Sequence, residues 1–132
     1  MAQPGFNEEQ IYGDVVMALL AVNGWTLEKV SAIRDGLARE ALFDREALKA
    51  SSIQVLAERL HAAGYTRGDY MCSLLAHRLQ SFAEVFDDDV ARDMKIKLES
   101  KRLEEVDKLL LAMHGVGPTV LWNFKILVGL EQ

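Results

Sequence analysis

The sequence predicts an all-α fold, and three observations predict it. Apolar residues recur at spacings of three and four along most of the chain. Residues that favour helix N-caps precede most of those stripes, and glycines follow several of them. No stretch alternates apolar and polar residues as a half-buried strand would, and neither an internal repeat nor a low-complexity segment is present. At 132 residues the chain, 1–132, is expected to form one compact multi-helix domain with a sizeable core.

The elements follow in order. Asn7 with Gln10 forms a variant capping box ahead of a stripe of Ile11, Val15, Leu19 and Val22, and Asn23-Gly24 ends that helix. Thr26 caps the next, with Leu27, Val30, Ile33 and Leu37 inward. Asp44 opens a short helical turn. Ser51 with Gln54 caps a helix carrying Ile53, Leu56 and Leu60, which Gly64 ends. Thr66 with Asp69 caps a long helix, about 67–86, that buries Met71, Leu74, Leu75, Leu79 and Phe82. A shorter helix covers about 90–98, with Asp87-Asp88-Asp89 marking its start. Ser100 caps the helix after that.

The last two helices form the stretch that carries most chemistry, about 101–130. Leu103, Val106, Leu109, Leu110 and Met113 share one helical face, and Val120, Leu121, Phe124, Leu127 and Val128 share another. Between them lies His114-Gly-Val-Gly-Pro118. Two glycines two apart permit positive φ and close approach of a ligand to the backbone. Proline suits the first position of a helix. The N–H groups of Val116, Gly117, Thr119 and Val120 are therefore expected to point outward as an anion site, with the helix dipole behind them. The alternative is a glycine-rich helix–helix turn that binds nothing.

Composition limits the functional classes. Hydrophobic residues make up 50% and charged residues 27%, as in ordinary globular proteins. No apolar run is long enough to span a membrane, and the polar first ten residues do not read as a signal peptide. A single cysteine, Cys72, rules out an internal disulfide and fits a reducing cytoplasm. One cysteine and the scattered His61, His77 and His114 give no zinc or iron–sulfur spacing, so neither metal nor cofactor is expected. The net charge of −5 argues against a broadly nucleic-acid-coating surface. Residues 92–102, however, hold five basic and two acidic side chains and lead into the hairpin.

Other constellations read as structural. The three aspartates at 87–89 lack EF-hand spacing and a closing glutamate. Cys72 and His77, five apart on one helix, project on different sides. Trp25 and Tyr65 suit either packing or stacking on DNA. Arg67, Arg78, Lys95, Lys97, Lys101 and Lys125 matter only if they share a face with the hairpin, and Lys125 is the best placed by sequence, with Asn123 near the same edge.

The hydrophobic-x-Gly-hydrophobic-Gly pattern resembles a helix-hairpin-helix motif, whose backbone grips a DNA phosphate independently of sequence. A wider likeness runs from Tyr12 to Leu130, through Val30-Ser-Ala-Ile-Arg34, Leu48-Lys-Ala50, the run Leu56 to Arg67 that ends Gly-Tyr-Thr-Arg, and Leu109 to Pro118. This order resembles the front part of the helix-hairpin-helix DNA glycosylase superfamily, the endonuclease III-like group. The resemblance implies part of a glycosylase fold with one helix-hairpin-helix. It also carries departures. Thr119 stands where lyase-type members have a nucleophilic lysine, and a threonine cannot form a Schiff base. The activating aspartate would fall past Gln132. The iron–sulfur loop is absent, His114 replaces a proline, and the polar wedge segment is only loosely kept as Val22-Asn23-Gly24-Trp25.

The expected function is therefore sequence-independent binding to the DNA backbone, without base excision by this chain. Gly115, Val116, Gly117 and Thr119 would donate to one phosphate, and Lys125 and Lys101 would add charge. The alternatives are a protein-interaction module or homodimer that kept the fold and lost DNA, and one part of a split DNA-repair enzyme.

Overall fold

The computed structural model describes residues 7–113 and 115–129. His114 and Leu130, both named above, lie outside them. Among the described residues the chain is all-helical, with no strand. The helices are α1 Glu8–Leu20, α2 Leu27–Ala32, α3 Arg34–Arg39, α4 Arg45–Ala50, α5 Ile53–Ala63, α6 Asp69–Val85, α7 Asp88–Glu99, α8 Leu103–Leu111 and α9 Pro118–Leu127.

Helix α1 is the centre of the fold. The Asn7 side chain caps it by accepting from the Glu9 and Gln10 N–H groups at 2.8 and 3.2 Å. Every residue from Ile11 to Leu20 is buried. A helix buried on all sides needs apolar residues around its whole circumference, which the run Val15-Val-Met-Ala-Leu-Leu20 supplies. Helices α2, α6, α7 and α9 pack around it. The Tyr12, Phe82 and Phe86 rings meet at its start, with centroids 4.8 to 5.7 Å apart.

A helix that ends inside a core leaves its last carbonyls without water, so each needs a donor. Three side chains provide them. The Tyr65 hydroxyl donates to the Leu20 carbonyl at 2.7 Å. Asn123 Nδ2 donates to the Ala21 and Ala18 carbonyls at 2.8 and 3.3 Å. Arg67 donates to the Val22 carbonyl at 2.8 Å and also to that of Asn23. Asn123 thereby fastens α9 to the end of α1. It is 8% exposed and lies in the core, not at a DNA-facing edge as the sequence suggested.

Several boundaries differ from the sequence expectation. Helix α1 stops at Leu20, and Asn23 (φ 54°) with Gly24 (φ 95°) forms a separate turn closed by Trp25 N–H to the Val22 carbonyl. The single helix expected after Thr26 breaks at Ile33 into α2 and α3. Val30 and Leu37 are buried as expected, while Leu27 and Ile33 are half-buried. Ser52, not Ser51, caps α5, because Ser51 back-bonds to the Ala47 carbonyl at the end of α4. Gly68, not Thr66, stands at the N-cap of α6. Ser100 ends α7 and does not start α8. Lys101 there adopts φ 59°, so that Lys101 and Arg102 N–H close back on the Leu98 and Lys97 carbonyls in a Schellman turn.

One close approach sets the outer layer. A Cβ on Gly36 would lie 2.1 Å from the Ala63 carbonyl oxygen, so only glycine lets α3 touch the end of α5. Gly64 follows with φ 109°, ends α5 as the sequence predicts, and turns the chain toward Tyr65.

Candidate anion site at the helical hairpin

Helices α8 and α9 pack through Val106 and Leu110 on one side and Val120, Leu121 and Phe124 on the other, as their periodicity predicts. Leu109, Met113, Leu127 and Val128 are half-buried, and Leu103 is exposed. Val116 is 7% exposed and plugs the turn from inside.

The two glycines do different work. Gly115 has φ 85°, the left-handed conformation expected for it. A Cβ there would meet the Arg78 stem at 3.4 Å. Gly117 departs from the expectation. Its φ of −110° and ψ of −172° are extended backbone that any residue adopts, and a Cβ would meet nothing within 4 Å. Gly117 is the N-cap of α9 and Pro118 its first residue. The value of glycine at 117 is thus open space at a helix start.

That start is distinct within the fold. Among the described residues no side chain caps α9, and no acidic residue stands in its first turn. Each other described helix has a side-chain cap, an acidic residue in its first turn, or both. Among the described residues the N–H groups of Thr119 and Val120 have no side-chain acceptor, and Thr119 is exposed while Val120 is buried. The partial positive charge of a ten-residue helix is left without a nearby carboxylate in its own first turn. Val116 differs from the expectation, because its N–H already donates to the Met113 carbonyl at 3.2 Å.

The basic residues are also rearranged. Lys125 Nζ sits 3.2 Å from Asp107 Oδ2, with only 18% of its side chain exposed, and so ties α9 to α8 instead of facing the turn. Lys101 precedes α8 at the end away from the turn, about 15 Å along the helix axis, too far to share a phosphate held there. In the basic segment Arg92, Lys97 and Arg102 pair with Asp89, Asp93 and Glu105. Arg67 holds the end of α1. The stem of Arg78, on α6, lies against the turn at Gly115, and Arg78 takes part in none of the ion pairs among the described residues. No local sequence signal marks it, since it precedes the turn by more than thirty residues.

Other chemistry-bearing residues fall elsewhere. Trp25 packs on Tyr65 with centroids 4.6 Å apart, and Tyr65 is fully buried, so both are structural. Cys72 is buried and burial raises its thiol pKa, which keeps it an inert thiol. No group of His, Cys, Asp and Glu able to hold a metal occurs among the described residues. No helix there is long and apolar enough to cross a membrane. An open groove of about 990 Å³ lies between the starts of α1, α4 and α7, lined by Tyr12, Arg34, Phe43 and Arg45. The Tyr12 hydroxyl is buried there without a hydrogen-bond partner among the described residues. Asp14, 3% exposed on α1, has its pKa pushed up to about 6 by burial, which Arg34 opposes.

Comparison with known protein families, curated proteins and solved structures finds no match to this chain.

Proposed function

We propose that the chain binds the DNA backbone through the α8–α9 turn, independently of base sequence and without excising bases itself. The observation that carries this reading is the start of α9. It is the described helix with neither a side-chain cap nor a first-turn acid, and the exposed Thr119 and the open space at Gly117 leave room for a tetrahedral anion. Arg78, whose side-chain stem lies against Gly115, is the cation this reading calls on in place of Lys125 and Lys101. The reading agrees with the helix-hairpin-helix pattern in the sequence. Thr119 offers no amine for lyase chemistry.

The net charge of −5 keeps the binding weak. Affinity is expected to be micromolar or weaker at physiological salt and to fall steeply as salt is added. An anisotropy titration with a labelled duplex at low salt tests this, and no binding there would remove the proposal. Purified protein is expected to release no base from damaged duplexes. Measurable excision, or a borohydride-trapped adduct, would overturn the non-catalytic part.

A second reading, a protein-interaction module, is favoured by the apolar residues left exposed on α7 and α8: Ile96 at 49%, Leu103 at 38% and Leu111 at 46%. Under that reading Leu111→Glu lowers the sedimentation mass of a complex and DNA binding is absent.

A further inference from the structure

Trp122 is the exposed aromatic side chain of the hairpin, with half of its surface in solvent (50%). The other tryptophan, Trp25, is packed on Tyr65. Trp122 follows Thr119 by three residues and Pro118 by four, so all three share one strip of α9, and all three are exposed. The Trp122 Cα stands about 4.5 Å further along the axis than that of Thr119, a little over one turn from the helix start at Pro118. Leu111, the last residue of α8 and 46% exposed, leaves the hairpin's turn end apolar as well.

We infer that Trp122 is a stacking platform for an unpaired base, and that the substrate class of this hairpin is single-stranded DNA in preference to intact duplex. The inference rests on the phosphate-binding reading above. A phosphate held at the Gly117–Thr119 backbone places its nucleotide on the strip that carries the indole. In a duplex the two faces of each base are covered by its neighbours, so an indole beside the backbone meets only sugar and phosphate. In a single strand the base turns out and its face is available. Stacking accepts any base, so the sequence indifference of a backbone grip is kept. The arrangement also suits an acidic chain, because stacking adds affinity that does not depend on a wide basic surface.

The test compares a short labelled oligothymidine with a blunt duplex of equal length, by anisotropy at low salt, for the full chain and two variants. The native chain is expected to bind the single strand about tenfold more tightly than the duplex, within the range that one stacked base contributes. Trp122→Ala is expected to bring the single strand down to the duplex level and leave duplex binding unchanged. Trp122→Phe, which keeps a ring, is expected to retain most of the preference. Tryptophan emission is expected to be quenched by oligothymidine in the native chain and not in Trp122→Phe, where Trp25 alone reports. Circular dichroism checks that both variants fold, as an exposed site predicts.

Equal affinity for the two DNAs, or an equal loss on both in Trp122→Ala, overturns the stacking role while the phosphate reading stands. No binding to either DNA overturns both. A fall in sedimentation mass in Trp122→Ala would assign the indole to a protein contact and overturn the inference as well.

Discussion

Gly117→Ala separates a turn that binds a phosphate from one that only connects two helices. At φ −110° and ψ −172° alanine fits the backbone without strain, and its methyl group meets nothing within 4 Å. Alanine narrows the unfolded ensemble, which favours folding by about 0.4–1 kcal/mol. It is a poorer N-cap than glycine by roughly the same amount, which opposes. The net change in stability is therefore expected to lie within about 0.5 kcal/mol, read from urea unfolding midpoints. The same methyl group fills the open space at the start of α9 where an anion would sit. Duplex affinity is expected to fall about tenfold, or about 1.4 kcal/mol, far more than the stability change. Gly115→Ala is the counterpart. Its φ of 85° puts an alanine in the left-handed region, at a cost of about 1–2 kcal/mol, with the Arg78 stem 3.4 Å away. If Gly117→Ala binds DNA as the native chain does, the start of α9 is not a phosphate site. If it instead destabilises by more than about 1 kcal/mol, the account of its backbone is wrong.

Three further expectations follow from the packing. Gly36→Ala is expected to destabilise by about 3 kcal/mol or more, seen as a lower thermal midpoint, because its Cβ would lie 2.1 Å from the Ala63 carbonyl oxygen and α3 must move off α5. Asn123→Leu keeps the volume but leaves the Ala18 and Ala21 carbonyls without their donor, at about 1–3 kcal/mol for each, so unfolding measurements should show a loss near 3 kcal/mol. Asp14 holds its proton more tightly when folded, with a pKa of about 6 against an ordinary 3.8. The folded state then binds more protons between those values, so stability falls as pH rises from about 4 to 6, by roughly 3 kcal/mol in all, and is flat above. Asp14→Asn is expected to abolish that slope and to raise stability at pH 7, and an unchanged slope in urea titrations would refute the assignment.

The sequence by itself determined the class and the order of the helices, because the signals for both are local. Asn7, Thr26, Asp44 and Asp87 cap the helices they precede, since a side-chain oxygen reaches an N–H only two or three residues on. The periodicity of Val106, Leu110, Val120, Leu121 and Phe124 marked the buried seam of the hairpin, and Gly115 took the left-handed turn its position suggested. Caps failed at Ser51, Thr66 and Ser100, where a serine or threonine stands one or two places from a boundary that burial and neighbouring turns fix. Tertiary structure alone decided the contents of the candidate site. Lys125 is held by Asp107 on the opposing helix, Asn123 by carbonyls more than a hundred residues earlier in the chain, and Arg78 reaches Gly115 from α6. Each is a contact between residues far apart in sequence. A charged or amide side chain reads the same on a helix wheel whether it faces water, a partner or a buried helix end. Only the packing around α1 sets which of these it meets.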